Sequence, residues 1–510
     1  MKKLSIVFSV LLCLFVVSCN SIDFGNVNKD DDAVTSPSTE GLMSGAMNQF
    51  FTMAGRNGQT KPNLYVQYQT QRNYTQEQLY SASPASWQGY YVGLLSNFKK
   101  IVDINSADEV SNATRSYGAP VNQIGVSEIM AAFVWKRLTD IYGPVPYKDA
   151  LGKGDTITPS YTDQETIYKD LVDRVKKARD KLDDSKMGPT GDVIYSGDVT
   201  KWKKFANSLI LSLTMQLTNK YPSASGYAAT EFKAALNNSA GVIQDVGDEA
   251  WYDYQNISGA NNPFSRLRGA DYQMSLPFTT ALKGQANGQF ITYSNDSYDN
   301  RLKVLAEDDS LDGAPYGRES LTASNTPSGL TDTYTSISSG IRAPDAPLPY
   351  MTAGYTYLNR AEAAQRGWTN ENAQNMLRNG IMASYASVDD HWDDGDPSSG
   401  KLQSDGSNFA ADRILDATNG NAAGGMLQVI DEEKWVAVFP IGFQAWSEFR
   451  RTGYPGLIPA VDAVNNGEIP TRYLYPNTET GVNGDNYDQA LKMLSPSTDT
   501  NTSKFWWEMQ

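Results

Sequence analysis

The chain has 510 residues, 40% of them hydrophobic, and sets 43 Lys and Arg against 58 Asp and Glu for a net charge of −15. That surface repels phosphate backbones and anionic lipid, and with no basic stripe to override it nucleic acid is excluded as a partner. A single histidine, His391, excludes a multi-histidine zinc or iron centre and leaves any Ser-His-Asp triad resting on one residue in an acidic stretch.

Lys2 and Lys3, the apolar run Leu4–Val17 and the string Val16-Val17-Ser18-Cys19 read as a lipoprotein signal peptide over 1–18, with Cys19 as the lipidated residue. The apolar run is shorter than the roughly 20 residues that a bilayer span needs, so membrane attachment is expected through the lipid only. Cys13 leaves with the leader and Cys19 takes the lipid, which leaves the mature fold without a disulfide. Residues 19–38, polar and rich in turn formers, read as a flexible tether with an acidic run at Asp30, Asp31 and Asp32. Residues 39–510 then form one large, mostly α-helical domain, since no long low-complexity linker divides them.

Within that domain, three-and-four spacing of apolar residues predicts helices from Thr39 to Phe51, Ser86 to Ile101, Val121 to Tyr142, Asp163 to Leu182, Trp202 to Leu217 and Ala228 to Leu236. Between Gly241 and Pro349, Gly, Asn, Ser, Asp and Pro dominate, so about 241–349 reads as a loop-rich excursion. Helical pattern returns from Tyr350 to Arg366 and from Asn370 to Ser384, and a second excursion is expected at 387–409. The stretch Asp431–Pro455 places Trp435, Phe439, Phe443, Trp446 and Phe449 on one helical side. Glu432, Glu433 and Glu448 are assigned to a solvated opposite face. Pro440 predicts a kink or a two-helix corner, and Gly453 a left-handed C-cap.

Catalytic groups are sparse. The mature chain offers no thiol, no Gly-rich phosphate loop follows an apparent strand, and carboxylate pairs for glycoside cleavage are left open because their separation in space is not legible in sequence. The acidic cluster of Asp389, Asp390, Asp393, Asp394 and Asp396 fails as an EF-hand, since position three would be Trp392 and position twelve Lys401. Neither a metal nor a cofactor is expected. The informative excess is aromatic, 29 Tyr and 10 Trp. Trp251, Tyr252, Tyr254 and Trp392, followed by Tyr74 and Tyr272, lie in the predicted loops, where a ring can stack on a sugar or pack a peptide side chain. The alternative is that these rings pin the loops to the helices.

Four blocks carry a family resemblance: TDIYGPVPYKDAL (Thr139–Leu151), DVIYSGDVTKWKKFANSL (Asp192–Leu209), NRAEAAQRGW (Asn359–Trp368), and EKWVAVFPIGFQAWSEFRRTGYP (Glu433–Pro455) followed by IPTRYLYPNTE (Ile469–Glu479). In this order they resemble the SusD/RagB-like outer-membrane lipoproteins, in particular the second SusD-like family. The resemblance implies TPR-like helix pairs, although no 34-residue sequence repeat is visible. It also implies a non-catalytic, cell-surface lipoprotein that binds oligosaccharide or peptide and delivers it to a SusC-like TonB-dependent transporter. In such proteins an acidic run behind the lipidated cysteine resembles a surface-export signal, and a solvated linker accounts for it equally. Two other readings stand beside this one: a surface glycoside hydrolase, and a purely structural partner of the transporter.

Overall fold

The computed structural model describes residues 37–509 except 54, 153–156, 286–287, 321–332 and 393–400. The signal peptide, Cys19, most of the tether and Asp393, Asp394 and Asp396 lie outside the described residues. From Thr39 onward the chain forms one compact unit.

The first half is a run of helices: α1 (Thr39–Phe51), α2 (Ser96–Asn105), α3 (Pro120–Tyr142), α4 (Gln164–Lys181), α5 (Val199–Met215) and α6 (Tyr227–Leu236). Local chemistry sets their ends. Asp163 accepts from Thr166 N at 2.8 Å to open α4, and Asp198 accepts from Thr200 N and Lys201 N to open α5. Gly143, at φ 87°, closes α3. The second half comprises α7 (Ala353–Gln365), α8 (Ala373–Trp392), α9 (Lys401–Asn419), α10 (Gly425–Ala437) and α11 (Gly442–Thr452). Each helix packs on its successor within both halves, and α7 touches both α5 and α10, which joins the halves. At the α7–α8 crossing a Cβ on Gly380 would lie 2.7 Å from Leu358 Cγ, so only glycine permits that approach.

The Pro440 expectation is met as a corner, since α10 and α11 flank a cis Phe439–Pro440 bond, and Gly453 caps α11 in the left-handed region at φ 79°. The second excursion is corrected. Residues 387–392 end α8 and residues 401–409 begin α9. The apolar stripe Ile381, Tyr385, Val388, Trp392 continues the helical period to the end of α8, while the Ser and Asp between those positions give the segment the composition of a loop. The first excursion is held to the helical body by strand pairs, Gln69–Gln71 with Tyr272–Met274 and Ile291–Thr292 with Gly456–Leu457, and within itself by Ala250–Tyr252 with Leu348–Met351, all antiparallel.

The solvated face assigned to α10 and α11 does not exist. Asp431, Glu432, Glu433, Lys434 and Glu448 are all buried. Arg413 donates to Glu432 at 2.7 Å and to Glu433 at 2.8 Å, and Arg301 bridges Glu433 and Asp299. A second network ties Lys434 to Glu362, and Arg451 to Glu362 at 2.7 Å and Glu448 at 2.6 Å. Burial would raise Glu362, yet Arg451 and Lys434 hold it well below the usual range, and the same two cations hold Glu448 down to about 2 against its burial. Burial and the neighbouring Glu362 instead push Asp431 up to about 8.

Candidate functional site

The antiparallel pair of Gln69–Gln71 and Tyr272–Met274 places Gln71 opposite Tyr272. Its outer end is fixed from below by Gln78, a wholly buried amide that accepts from Thr70 Oγ1 at 2.7 Å and Gln71 N at 2.8 Å and donates to Gln71 O at 2.8 Å. With its polar atoms paired, this side chain fixes the chain on both sides of the tip 72–74. Arg72 N donates to Asp271 O at 2.9 Å and Asn73 Nδ2 to Asp271 Oδ1 at 3.0 Å. Tyr74 and Tyr272, the residues next in sequence to that bonded pair, are thereby set at the same end of the strands.

Tyr74 is 70% exposed and has φ 55°. A non-glycine residue in the left-handed region costs roughly 1 kcal/mol or more, and here that conformation presents a large ring to solvent. Around it, Tyr272 is half-buried and takes a hydrogen bond on its hydroxyl from Gln71 Nε2 at 3.2 Å. Burial raises the Tyr272 hydroxyl above its ordinary value, against the lowering effect of Gln71. Arg56, exposed, pairs with buried Glu77 at 2.8 Å, and Arg72 lies over the Tyr334 ring at 5.6 Å. The Tyr334 hydroxyl is buried with no partner among the described residues. Ring faces beside guanidinium, amide and carboxylate groups suit a polar ligand with apolar faces.

The other four candidate rings lie elsewhere, in two buried groups. Trp251 stacks on His391 at 3.7 Å and meets Trp392 edge-on at 5.1 Å. Their indole N–H groups donate to Glu249 Oε2 and to Pro347 O. Tyr252 stacks on Phe51 of α1 and donates to Asn48 Oδ1 at 2.8 Å, while Tyr254 donates to Phe51 O at 2.8 Å. At 8, 4, 4 and 8% exposure, Trp251, Tyr252, Tyr254 and Trp392 are not free of packing duty. A short strand carries Trp251 and Tyr252 and the last turn of α8 carries Trp392, while Tyr254 does lie in irregular chain but is held by its bond to α1. Conversely, Arg56, Arg72, Asn73, Asp271 and Tyr334 were not singled out. The available signal was the polar string Gln71-Arg72-Asn73 running into Tyr74 with no apolar period.

Among the described residues, Glu362, Asp431 and Glu448 bring carboxylate oxygens within 4.8 Å of one another, as a metal site would. Lys434 and Arg451 already occupy that space as ion partners, so the donor set is neutralised from within and does not fit a metal. No helix among the described residues is long and apolar enough to cross a membrane.

The family model SusD-like_2, described as starch-binding and associating with the outer membrane, matches residues 31–476. No curated protein matches the chain. Solved structures do. A chitin-binding protein is 24% identical with a TM-score of 0.75, covering 93% of this chain and 100% of its own. A chitin-binding SusD homologue from Flavobacterium johnsoniae is 20% identical with a TM-score of 0.72, covering 92% and 99%. A SusD homologue from Bacteroides fragilis is 23% identical with a TM-score of 0.73, covering 93% and 99%. These likenesses establish a shared fold over nearly the whole chain.

Proposed function

Because the chain belongs to the SusD-like family, described as starch-binding and associated with the outer membrane, we propose that it is a non-catalytic outer-membrane lipoprotein that captures oligosaccharide. Cys19 carries the lipid, the protein faces the cell surface, and a SusC-like TonB-dependent barrel receives the glycan. Tyr74 and Tyr272 form the stacking surface, with Arg72, Asn73 and Asp271 supplying hydrogen bonds to sugar hydroxyls. The observation that carries this reading is the exposed Tyr74 ring, held at φ 55° beside the Asn73–Asp271 bond. A folded chain has no internal use for a large aromatic in that position. Trp251, Tyr252, Tyr254 and Trp392 pin the excursion to α1 and α8.

Titration calorimetry with chitohexaose and maltohexaose, alongside product analysis of the same mixtures, tests the proposal. Binding without cleavage is expected for at least one of the two. Release of shorter sugars would establish the glycoside hydrolase reading in its place, and the absence of binding to both would sink the capture role. Isolation of the lipidated protein with a TonB-dependent barrel from detergent-solubilised outer membrane tests the partner.

A further inference from the structure

A cleft of ≈ 710 Å³ opens where the end of α6, the following turn, α7 and the turn before α8 meet, and it shares no residue with the Tyr74 surface. Its volume is that of a small-molecule site. Its wall is built around Arg360, which donates to both carboxylate oxygens of Glu371, at 2.6 and 3.4 Å, and to Gln244 Oε1 at 2.9 Å, with its guanidinium 4.7 Å from the Tyr357 ring centroid. The pair is ordered in advance and neutral in sum. The other cation, Lys233, is engaged by the Ala224 carbonyl at 2.8 Å. Beside these charged groups the cleft presents the exposed Asn237 and Asn370, and behind them the Thr369 hydroxyl oxygen is buried with no partner among the described residues. The floor is Trp368, pinned by its N–H to Pro222 O at 3.0 Å.

Arg360 is already neutralised by Glu371, which leaves Lys233 as the unneutralised charge among the lining residues, and an apolar side chain would find a polar wall. Amides and a hydroxyl both donate and accept, which matches the paired donor and acceptor character of vicinal sugar hydroxyls. We propose that this cleft is a second ligand site, specific for a neutral oligosaccharide and independent of the Tyr74 surface. The ligand class rests on the glycan-capture reading; the location rests on the cleft.

Calorimetry of the full chain with chitohexaose and with maltohexaose, on wild type, Tyr74→Ala and the Asn237→Ala/Asn370→Ala double variant, tests it. Both asparagines are exposed, so the double variant keeps the wild-type melting temperature. Two binding events per chain are expected, one of which weakens by about tenfold in the double variant and persists in Tyr74→Ala. A single event lost in the double variant and retained in Tyr74→Ala supports the cleft and sinks the strand-pair surface. Binding unchanged in the double variant, or no binding to either sugar, overturns the inference.

Discussion

Arg413 donates from Nε to Glu433 Oε1 at 2.8 Å with both side chains wholly buried. Its Nη2 reaches Glu432 Oε2 at 2.7 Å and its Nη1 reaches Asp416 Oδ2 at 2.8 Å, so one guanidinium neutralises charge brought in by α10. Such a pair adds little net stability over an apolar substitute, but stranding one partner is costly. Arg413→Met is expected to lose about 3 to 5 kcal/mol in urea denaturation, and adding Glu432→Gln should recover part of it. A loss under about 1 kcal/mol would mean that water reaches the site.

Glu249 gives the fold a pH dependence. Burial pushes its carboxyl up to about 7, against hydrogen bonds from Ser387, Trp251 and Ala353 N. A raised folded value means that the native state holds the proton where the unfolded chain has released it. Stability from this group is therefore full below about 4.3 and is lost as pH rises through about 7, by of order 3 kcal/mol. Glu249→Gln keeps one of the two accepting oxygens and removes the titration, so the lost hydrogen bond enters as a pH-independent offset. The difference in unfolding free energy between variant and wild type should grow in favour of the variant from pH 5 to pH 7.5. A constant difference would place the group in water.

Trp446 is a structural knob. It is wholly buried, its indole N–H donates to Pro470 O at 2.7 Å, and the Arg450 guanidinium lies 4.1 Å from its ring centroid. Trp446→Ala should cost about 3 to 5 kcal/mol through lost burial and the cavity left behind, read as a lowered melting temperature by circular dichroism. A melt within error of wild type would contradict the packing.

The helical scaffold was legible because its signals are local. The Gly453 stop and the Pro440 corner each depend on residues within a few positions, whereas the Asp198 cap, which starts α5 at Val199 and not at the expected Trp202, was not read. The inside of α10 was not legible. Glu433 meets Arg301 from 132 residues away and Lys434 meets Glu362 from 72 away, and a polar helical face looks the same whether water or arginine lies against it. The six candidate rings show the same limit. Composition marked all of them as loop aromatics, and only tertiary contacts separate Tyr74, which faces solvent, from Tyr254, which holds α1.

The anchor is tested at Cys19. Cys19→Ala should fold with an unchanged melting temperature, take up no radioactive palmitate and leave the membrane fraction, because the acyl chains supply nearly all membrane affinity. Wild-type protein that incorporates no label would remove the lipoprotein assignment.

The two groups of aromatics separate in one paired measurement. Tyr74 makes no packing contribution that its 70% exposure would not make small, so Tyr74→Ala should leave the melting temperature unchanged. If its ring stacks on a sugar, truncation should lose roughly 1 to 2 kcal/mol of binding, about ten- to thirtyfold in affinity. Tyr254 is the opposite case. Its hydroxyl bonds Phe51 O and the Tyr350 hydroxyl, and its ring meets Tyr252 edge-on at 4.6 Å. Tyr254→Ala should therefore lower the melting temperature by several degrees while the variant, assayed well below its melt, binds sugar as wild type does. If Tyr254→Ala abolishes binding with an unchanged melt while Tyr74→Ala binds normally, the ligand sits on the Ala250–Tyr252 side of the excursion, and the Tyr74 surface has another use.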